Sequence, residues 1–428
     1  MMNRTELYNE IFEYVADLTI IDTHEHLPYR EEAREKHTDI LKEYLAHYFS
    51  RDLLSAGLSP DVLADAVDVS IPLQSRWETL EPYWELARYT GYGRSLDLAL
   101  QGLYGLDGFS ADSIQAANEK FLPTLEPGHF NRVLKEKCRI EISILDSLEE
   151  EKLDCDRTFF KPVFRTDFMV FPQSWQDIKQ VEQYSGITVC SFRSWREACE
   201  AALTHAVSRD IAGFKCALAY LRTLAFDRVI QADAERDFNR FFEVRHMLHD
   251  EEQLFFPGKA FQDYMMHFVL GFANKQQAVF QIHTGLQEGS GNIINNSDPA
   301  LISPVCIEYP DISFDLFHIG FPFQEKMGVM AKTFPNVYID MCWAHIISPA
   351  TSIRALSEWL EYVPYNKING FGGDYKFVDG VYGHQLLARK NISTALADKV
   401  EEGLFSVEKA KEIAKSLLYD NPRGLFGF

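Results

Sequence analysis

Eight short runs of consecutive apolar residues, separated by stretches with helical patterns, constrain the fold of this chain most strongly. The runs span residues 18–22, 139–145, 162–170, 211–217, 278–283, 312–318, 337–341 and 367–371. Most are apolar at successive positions, which is typical of strands buried on both faces of a parallel sheet. Eight such strands with helices between them predict an α/β protein of the (β/α)8 TIM-barrel type.

The stretch between the first two runs is too long for a single crossover helix. Residues 30–136 carry mainly helical patterns. We therefore predict a barrel formed by residues 1–29 and 137–428, with residues 30–136 as a large helical insertion after strand one. The insertion either only packs against the barrel or forms a lid over the active site. Long insertions at this face usually touch the site, which favours the lid.

Composition excludes several classes of partner. Lysine and arginine number 42 against 63 acidic residues, and the net charge of −21 argues against a nucleic acid or an anionic membrane surface. The seven cysteines include no C-x-x-C pair, which favours reduced thiols in the cytoplasm. The N-terminus lacks a signal-peptide pattern, and no uncharged run reaches about 18 residues. We expect a soluble cytoplasmic protein with a small-molecule substrate, and leave a homo-oligomer open.

Side chains that can bind a metal lie at the carboxyl ends of the predicted strands, where the catalytic residues of such barrels gather. They are His24, His26, His283, His318 and Asp374, and Lys215 lies in the fourth run. His24 and His26 are two residues apart on one strand and therefore point to the same face. A single strand-end histidine is more often a hydrogen-bonded core or loop residue. Four imidazoles and one carboxylate, however, predict a site for a divalent metal, with Zn²⁺ as the expected ion.

In this order the set resembles the amidohydrolase superfamily of metal-dependent (β/α)8 hydrolases. The Phe-Lys, His-Thr-Gly, Phe-His-Ile-Gly and Gly-Gly-Asp contexts are most similar to its amidohydrolase-related, or amidohydrolase 2, branch. The insertion is also similar to that of the uronate isomerases. The resemblance implies that His24, His26 and Asp374 bind the more buried metal, and that His283 and His318 bind a second metal or face the substrate.

For Lys215 the resemblance implies a carbamylated lysine that bridges two metals, because the carbamate anion is stabilised between two cations. The alternative is an unmodified lysine that holds a substrate carboxylate or phosphate. Both are open, and so is the number of metal ions, one or two.

The predicted chemistry follows from these ligands. A metal lowers the pKa of bound water to about 7 and so supplies hydroxide. The hydroxide attacks a carbonyl polarised by the metal or by His318, while Asp374 accepts the proton and passes it to the leaving group. We predict hydrolysis of a small ester, lactone or amide that bears a carboxylate. Three alternatives stay open: aldose–ketose isomerisation as in uronate isomerases, metal-dependent decarboxylation, and a barrel that keeps its metal without catalysis.

Three further residues are candidates for substrate binding. Tyr220 and Arg222 follow the fourth strand, and the guanidinium of Arg222 either clamps a carboxylate or lies on the surface. Trp343 follows the seventh strand and forms either an apolar wall or part of the core. Histidines without a strand-end position rank lower: His345 and His384 in loops, and His246, His249 and His267 on helix surfaces.

Overall fold

Eight parallel strands lie side by side in the order of the sequence in the computed structural model, which describes residues 3–148, 153–244, 256–289 and 291–428. The strands are β1 (Ile20–Glu25), β2 (Ile140–Leu145), β3 (Phe160–Arg165), β4 (Gly213–Cys216), β5 (Val279–Ile282), β6 (Ser313–Leu316), β7 (Val337–Asp340) and β8 (Ile368–Asn369). The chain after β8 returns to β1, since the Thr23 amide donates to the Phe371 carbonyl at 3.1 Å. This nearly closed barrel confirms the predicted (β/α)8 architecture.

Helix α1 (Arg4–Asp17) precedes β1, and helices surround the strands. Between β1 and β2 lie α2 (Ile40–Leu45), α3 (Phe49–Ser55), α4 (Pro60–Val67), α5 (Leu73–Ala87), α6 (Gly91–Ala99) and α7 (Ile114–Phe121). The later helices are α8 (Asp167–Val170), α9 (Trp175–Ser185), α10 (Phe192–Ser208), α11 (Gln231–Val244), α12 (Lys259–Lys275), α13 (Ser303–Glu308), α14 (Gln324–Thr333), α15 (Ala344–Ile347), α16 (Pro349–Tyr362), α17 (Val378–Glu401), α18 (Val407–Lys415) and α19 (Asn421–Phe426). No helix in the described part of the chain combines the length and the apolar character that crossing a membrane requires.

Each predicted run overlaps one strand, and one run needs correction. The third run extends to residue 170, whereas β3 ends at Arg165 and residues 167–170 form the short helix α8. Residues 168–170 are apolar and buried in both interpretations. An apolar run of this length does not distinguish a strand from a buried helical turn.

The segment between β1 and β2 is helical, as predicted, and it reaches the carboxyl ends of the strands. It has an aromatic centre in which the rings of Trp77, Trp84 and Phe109 lie 5.1–5.7 Å apart. Between α2 and α3, the hydroxyl of Tyr48 donates to the backbone carbonyl of Asp374 at 2.6 Å. The domain boundaries and the role of this segment as a lid stay predictions.

Candidate functional site

His24, His26 and Asp374 bring three potential metal ligands together at the top of the barrel. The imidazole rings of His24 and His26 project from β1 with their centroids 4.8 Å apart and nearly perpendicular. Oδ1 of Asp374 lies 3.2 Å from Nε2 of His26 and 3.6 Å from Nε2 of His24. Ligand atoms around a tetrahedral Zn²⁺, each about 2.1 Å from the ion, are separated by roughly 3.4 Å. The three side chains therefore fit one divalent ion.

His24 provides an independent indication of a ligand. Its side chain is 1% exposed, and neither ring nitrogen has a hydrogen-bond partner among the described residues. A buried polar atom without a partner is costly, so such an imidazole calls for a ligand that its nitrogen can bind. His26 instead places Nδ1 2.7 Å from the backbone carbonyl of Asp146, which directs its Nε2 towards Asp374. This is the usual orientation of a metal-binding histidine.

Two buried acids on β1 hold the loop that carries Asp374. Oδ1 of Asp22 accepts the backbone N–H of Gly373 at 3.0 Å, and Oε2 of Glu25 accepts that of Tyr375 at 2.8 Å. Glycine at position 373 permits this close approach, because a Cβ atom there would collide with the carboxylate of Glu25 in its present position. Glu25 thus points away from the histidines on either side of it and fixes the position of Asp374.

Asp146 and Arg165 belong to the site but are absent from our sequence prediction. Asp146 follows β2, and its Oδ2 lies 3.9 Å from Nε2 of His24. Nε of Arg165 donates to both oxygens of Asp146, at 3.2 and 3.1 Å. Although burial disfavours the charged carboxylate, Arg165 holds the pKa of Asp146 well below its usual range. The signal that could have identified Asp146 is its place immediately after an apolar strand.

His283 and His318 form a second pair whose rings face each other. Nε2 of His318 and Nδ1 of His283 are 3.0 Å apart. The remaining nitrogens contact backbone carbonyls, His318 Nδ1 with Cys342 at 2.9 Å and His283 Nε2 with Leu286 at 2.8 Å. Oδ2 of Asp374 lies 3.8 Å from His318 Nε2. The single N–H of each neutral ring is directed at a carbonyl, so the two facing nitrogens carry lone pairs that can accept a proton or bind a cation.

Metal-ligand types cluster in two groups around the pocket. His24, His26 and Asp146 form one, and His318, Cys342 and Asp374 form the other. Within each group the ligand atoms lie within 4.8 Å of one another. These groups are consistent with a resident metal. The number of ions and the identity of each ligand stay predictions.

Lys215 points from β4 into the same pocket. Its side chain is buried, and Nζ lies 3.6 Å from the centroid of the Phe317 ring. Burial lowers the pKa of Lys215, because the charged ammonium loses its hydration. The lysine is therefore closer to its neutral, reactive form than an exposed lysine. Its carbamylation stays a prediction.

Three strand-end residues adopt left-handed backbone conformations that are rare for residues other than glycine. The φ angles are +62° for His318, +60° for Trp343 and +57° for Asp374, after β6, β7 and β8 respectively. Such conformations persist only where the surrounding structure enforces them, and they cluster at functional sites. Here they turn successive strand ends around the same pocket.

The ionisable groups of the pocket are poised for proton transfer at neutral pH. Burial lowers the pKa of His24 and His283 far below the usual value, and that of His318 to about 4, so the rings are neutral. Burial also works against the charge of Asp374, but the hydrogen bond and charge of His26 hold its pKa well below the usual range. Burial raises the pKa of Tyr220, so this phenol stays protonated. The site thus presents the ionised Asp374 as an acceptor, neutral imidazoles and a protonated donor.

The residues surround a cavity of about 170 Å³. It is lined by His24, His26, His47, Tyr48, Leu148, Arg165, Lys215, Ala217, Tyr220, His283, Glu288, His318, Asp374 and Lys376. All six predicted metal-site residues are in this set. His47 and Tyr48 come from the helical segment between β1 and β2, and no strand-end pattern marks them.

Of the three predicted substrate-binding residues, the structure places only Tyr220 on the pocket wall. Its ring lies 4.6 Å from that of His283. Trp343 is buried behind the wall, edge-on to His318 at 5.1 Å and stacked on Tyr48 at 4.5 Å. The prediction for Arg222 needs correction, because its guanidinium is buried against Asp263 at 2.7 Å and lies outside the pocket.

The lower-ranked histidines in the described part of the chain are also away from the cavity. His345 and His384 lie in helices α15 and α17 and not in loops, which corrects the prediction. Nε2 of His345 contacts the Gly370 carbonyl at 2.9 Å, and Nδ1 of His384 contacts the Gly373 carbonyl at 3.0 Å, so both pack against the loop after β8. His267 is buried beside Tyr309, which corrects the predicted surface position. His246 and His249 lie outside the described residues.

A metal that binds only the folded protein should raise its melting temperature. At a free Zn²⁺ concentration a hundredfold above Kd, the expected stabilisation is about 2.7 kcal/mol. Calorimetry of metal-free protein with and without Zn²⁺ measures this shift. His24→Ala should abolish it, whereas His205→Ala, which removes an exposed histidine, should keep it. A full shift in His24→Ala would contradict the role of His24 as a ligand.

Comparison with known proteins identifies several relatives. The chain is 27% identical over 147 residues to protein fluG of Emericella nidulans, which is 34% of this chain and 17% of that protein. It is 30% identical over 105 residues to uronate isomerase of Thermotoga neapolitana, which is 23% of this chain and 22% of that protein. The matches thus span less than a quarter of each curated relative.

The fold is also similar to that of a solved structure along its whole length. The crystal structure of uronate isomerase from Thermotoga maritima superimposes with a TM-score of 0.82 at 18% identity, over 100% of this chain and 98% of that one. The sequence model of the amidohydrolase family matches residues 191–428, more than half of the chain. The chain therefore belongs to the amidohydrolase family.

Proposed function

We propose that the protein is a metal-dependent isomerase that interconverts the aldose and ketose forms of a sugar acid. The observation that carries this proposal is the convergence of His24, His26 and Asp374, in which Oδ1 of Asp374 lies 3.2 and 3.6 Å from the two ring nitrogens, as the ligands of one divalent ion do. Aldose–ketose isomerisation usually needs one metal, whereas the bridged-lysine hydrolysis predicted above needs two. The similarity to uronate isomerases, in part of the sequence and in the fold, supports the same conclusion.

The charge of the cavity supports an anionic substrate. Arg165, Lys215 and Lys376 line it against the carboxylates of Glu288 and Asp374; the guanidinium of Arg165 is bonded to Asp146, and burial lowers the pKa of Lys215. A divalent ion would neutralise Asp374 and leave the pocket positive. A positive pocket in an acidic protein attracts and retains an anion such as a carboxylate. The carboxylate expected from the sequence therefore stays part of the proposal, with these cations in place of Arg222.

The side chains supply the proton transfers that isomerisation requires. A proton leaves C2 of the aldose and returns to C1, while a hydroxyl proton moves between the two oxygens. The ionised Asp374 and the neutral imidazole of His318 are acceptors, and the protonated phenol of Tyr220 is a donor on the pocket wall. The metal, when bound, supplies Lewis-acid polarisation of the reacting oxygens.

Hydrolysis of a carboxylate-bearing ester, lactone or amide is the second candidate. Lys215 favours it, because a buried amine with a lowered pKa reacts with CO₂ more readily than a charged one. The resulting carbamate would create a second metal site beside His283 and His318. The two candidates differ in metal number and in the state of Lys215.

One set of experiments separates these candidates. We expect the protein to bind one divalent ion per chain and to convert hexuronates into ketose acids, followed by proton NMR in D₂O. Metal analysis of Lys215→Met should still give one ion per chain. Two ions in the native protein, a carbamate signal in ¹³C NMR and turnover of a lactone panel without uronate conversion would overturn the isomerase proposal and favour hydrolysis.

A further inference from the structure

A second cavity, of about 300 Å³, lies against the metal pocket. The two cavities share Arg165, Ala217 and Tyr220 in their walls. Arg165 and Tyr220 therefore separate a chamber with the metal ligands from a neighbouring chamber without them. The second chamber is also lined by Asp167, Phe168, Phe171, Gln173, Asp177, Gln180 and Leu221.

The charge of the second cavity differs from that of the first. Among the described residues that line it, Arg165 is the only cation, and that guanidinium is bonded to Asp146. Two aspartates, Asp167 and Asp177, also line it. Asp167 accepts the backbone N–H of Ala217 at 3.0 Å, so its charge is held in place by the fold. This lining disfavours a second carboxylate and suits a neutral group.

The uncharged residues of the second cavity are suited to a unit that carries hydroxyl groups. Gln173 and Gln180 are half-buried on the wall, and each amide can both donate and accept hydrogen bonds. Phe168, Phe171 and Leu221 supply apolar surface between them. A wall that alternates amide groups with aromatic and apolar faces matches the hydroxyls and the C–H faces of a sugar.

We propose that the second cavity is a subsite for a neutral, hydroxyl-bearing unit joined to the acid whose carbonyl enters the metal pocket. The substrate class is then a sugar acid linked to a neutral sugar, attached through a hydroxyl so that the carbonyl stays free. The linkage would lie against Tyr220 and Arg165, between the two chambers. Only the identity of the carbonyl-bearing unit rests on the proposed function.

Isothermal titration with ligands that cannot react tests the subsite. The probes are a borohydride-reduced hexuronate, in which the carbonyl has become an alcohol, and the same compound carrying one neutral hexosyl group. In the metal-loaded native protein, we expect the hexosyl compound to bind about tenfold more tightly. A third probe, with an anionic uronosyl group in place of the hexosyl group, should show no such gain.

Variants of helix α9 test whether the tighter binding of the hexosyl compound comes from the second cavity. Gln180→Trp should fill the cavity and remove the tenfold difference, while the Kd of the smaller acid changes less than about twofold. Gln176→Trp places the same side chain at an exposed position of the same helix and should change neither Kd. Gln180→Ala, which cannot overpack the wall, should weaken only the hexosyl compound.

The outcomes distinguish the subsite from the proposed function. Equal Kd values for the two compounds in the native protein, or a difference that survives Gln180→Trp, would overturn the subsite. An equal gain from the anionic group would overturn the neutral class. If the smaller acid does not bind at all, the proposed function fails. The cavity is then judged by a neutral hexosyl alditol without a carboxylate, which must still lose affinity in Gln180→Trp.

Discussion

Replacing Asp374 by asparagine is expected to lower kcat/KM by about a thousandfold or more, because the residue carries two roles. Its carboxylate faces both histidines of β1 and is ionised at neutral pH. Loss of a general base alone lowers the rate by about 10²- to 10⁴-fold. The amide also lacks the negative charge that binds a divalent ion. Steady-state kinetics on the substrate found above, together with metal titration, measure both effects.

The comparison with Asp112→Asn, which makes the same change at an exposed position, controls for the substitution itself. Asp112→Asn should keep native kinetics and native metal affinity. Asp374→Asn should keep the native circular dichroism spectrum, since the backbone of residue 374 still pairs with His24 and Tyr48. Full activity in correctly folded, metal-loaded Asp374→Asn would remove Asp374 from the chemistry and leave His318 as the remaining acceptor.

The strands of this barrel could be predicted from the sequence because a strand that is buried on both faces is apolar at successive positions. All six residues of β1 are buried, and so are all residues of β4 and β5. Once the strands are placed, the ends of the fifth and sixth strands locate His283 and His318 without any knowledge of side-chain packing. Asp146, immediately after β2, carries the same strand-end signal.

Other residues of the site are not marked by a strand end in the sequence. His47 and Tyr48 reach the pocket from a helical segment whose path over the barrel depends on tertiary packing. Arg222 lies seven positions after Lys215, but the chain turns through Leu218–Tyr220 and directs this guanidinium back to Asp263 on α12. A loop residue is therefore placed by the turn that precedes it. Helical or strand periodicity gives no information about that turn.

Asp379 is the buried connection between the helical segment and the loop that carries Asp374. Nε2 of His129 lies 2.7 Å from its Oδ1, and the hydroxyls of Tyr104 and Tyr44 donate to its Oδ2 at 2.5 and 3.2 Å. Burial opposes the charge, but His129 and the hydrogen bonds hold the pKa of Asp379 below its usual range. The carboxylate is thus a fully buried anion with three partners, five residues after Asp374.

Asp379→Ala should therefore reduce the free energy of unfolding by about 3–5 kcal/mol, because it leaves the buried side chains of His129, Tyr104 and Tyr44 without their partner, at about 1–3 kcal/mol each. Denaturant titration at neutral pH measures this loss. Since the pKa of Asp379 is lowered in the folded protein, its stabilisation is present at neutral pH. It is lost as the pH falls below the unfolded value of about 3.9. The difference between native protein and variant should accordingly shrink in acid.

Asp398→Ala is the matched control on the same helix, α17. Asp398 pairs with Arg4 at the surface, at 2.5 Å, and such exposed pairs contribute about 0–1 kcal/mol. Amide hydrogen exchange then shows where Asp379 acts. If it fixes the helical segment over the pocket, α2 and α3 should lose protection in Asp379→Ala before the barrel strands do. Uniform loss of protection would mean that Asp379 stabilises the whole barrel. Native protection of α2 and α3 would mean that the aromatic centre around Trp77 and Trp84 is sufficient to hold His47 and Tyr48 in the pocket wall.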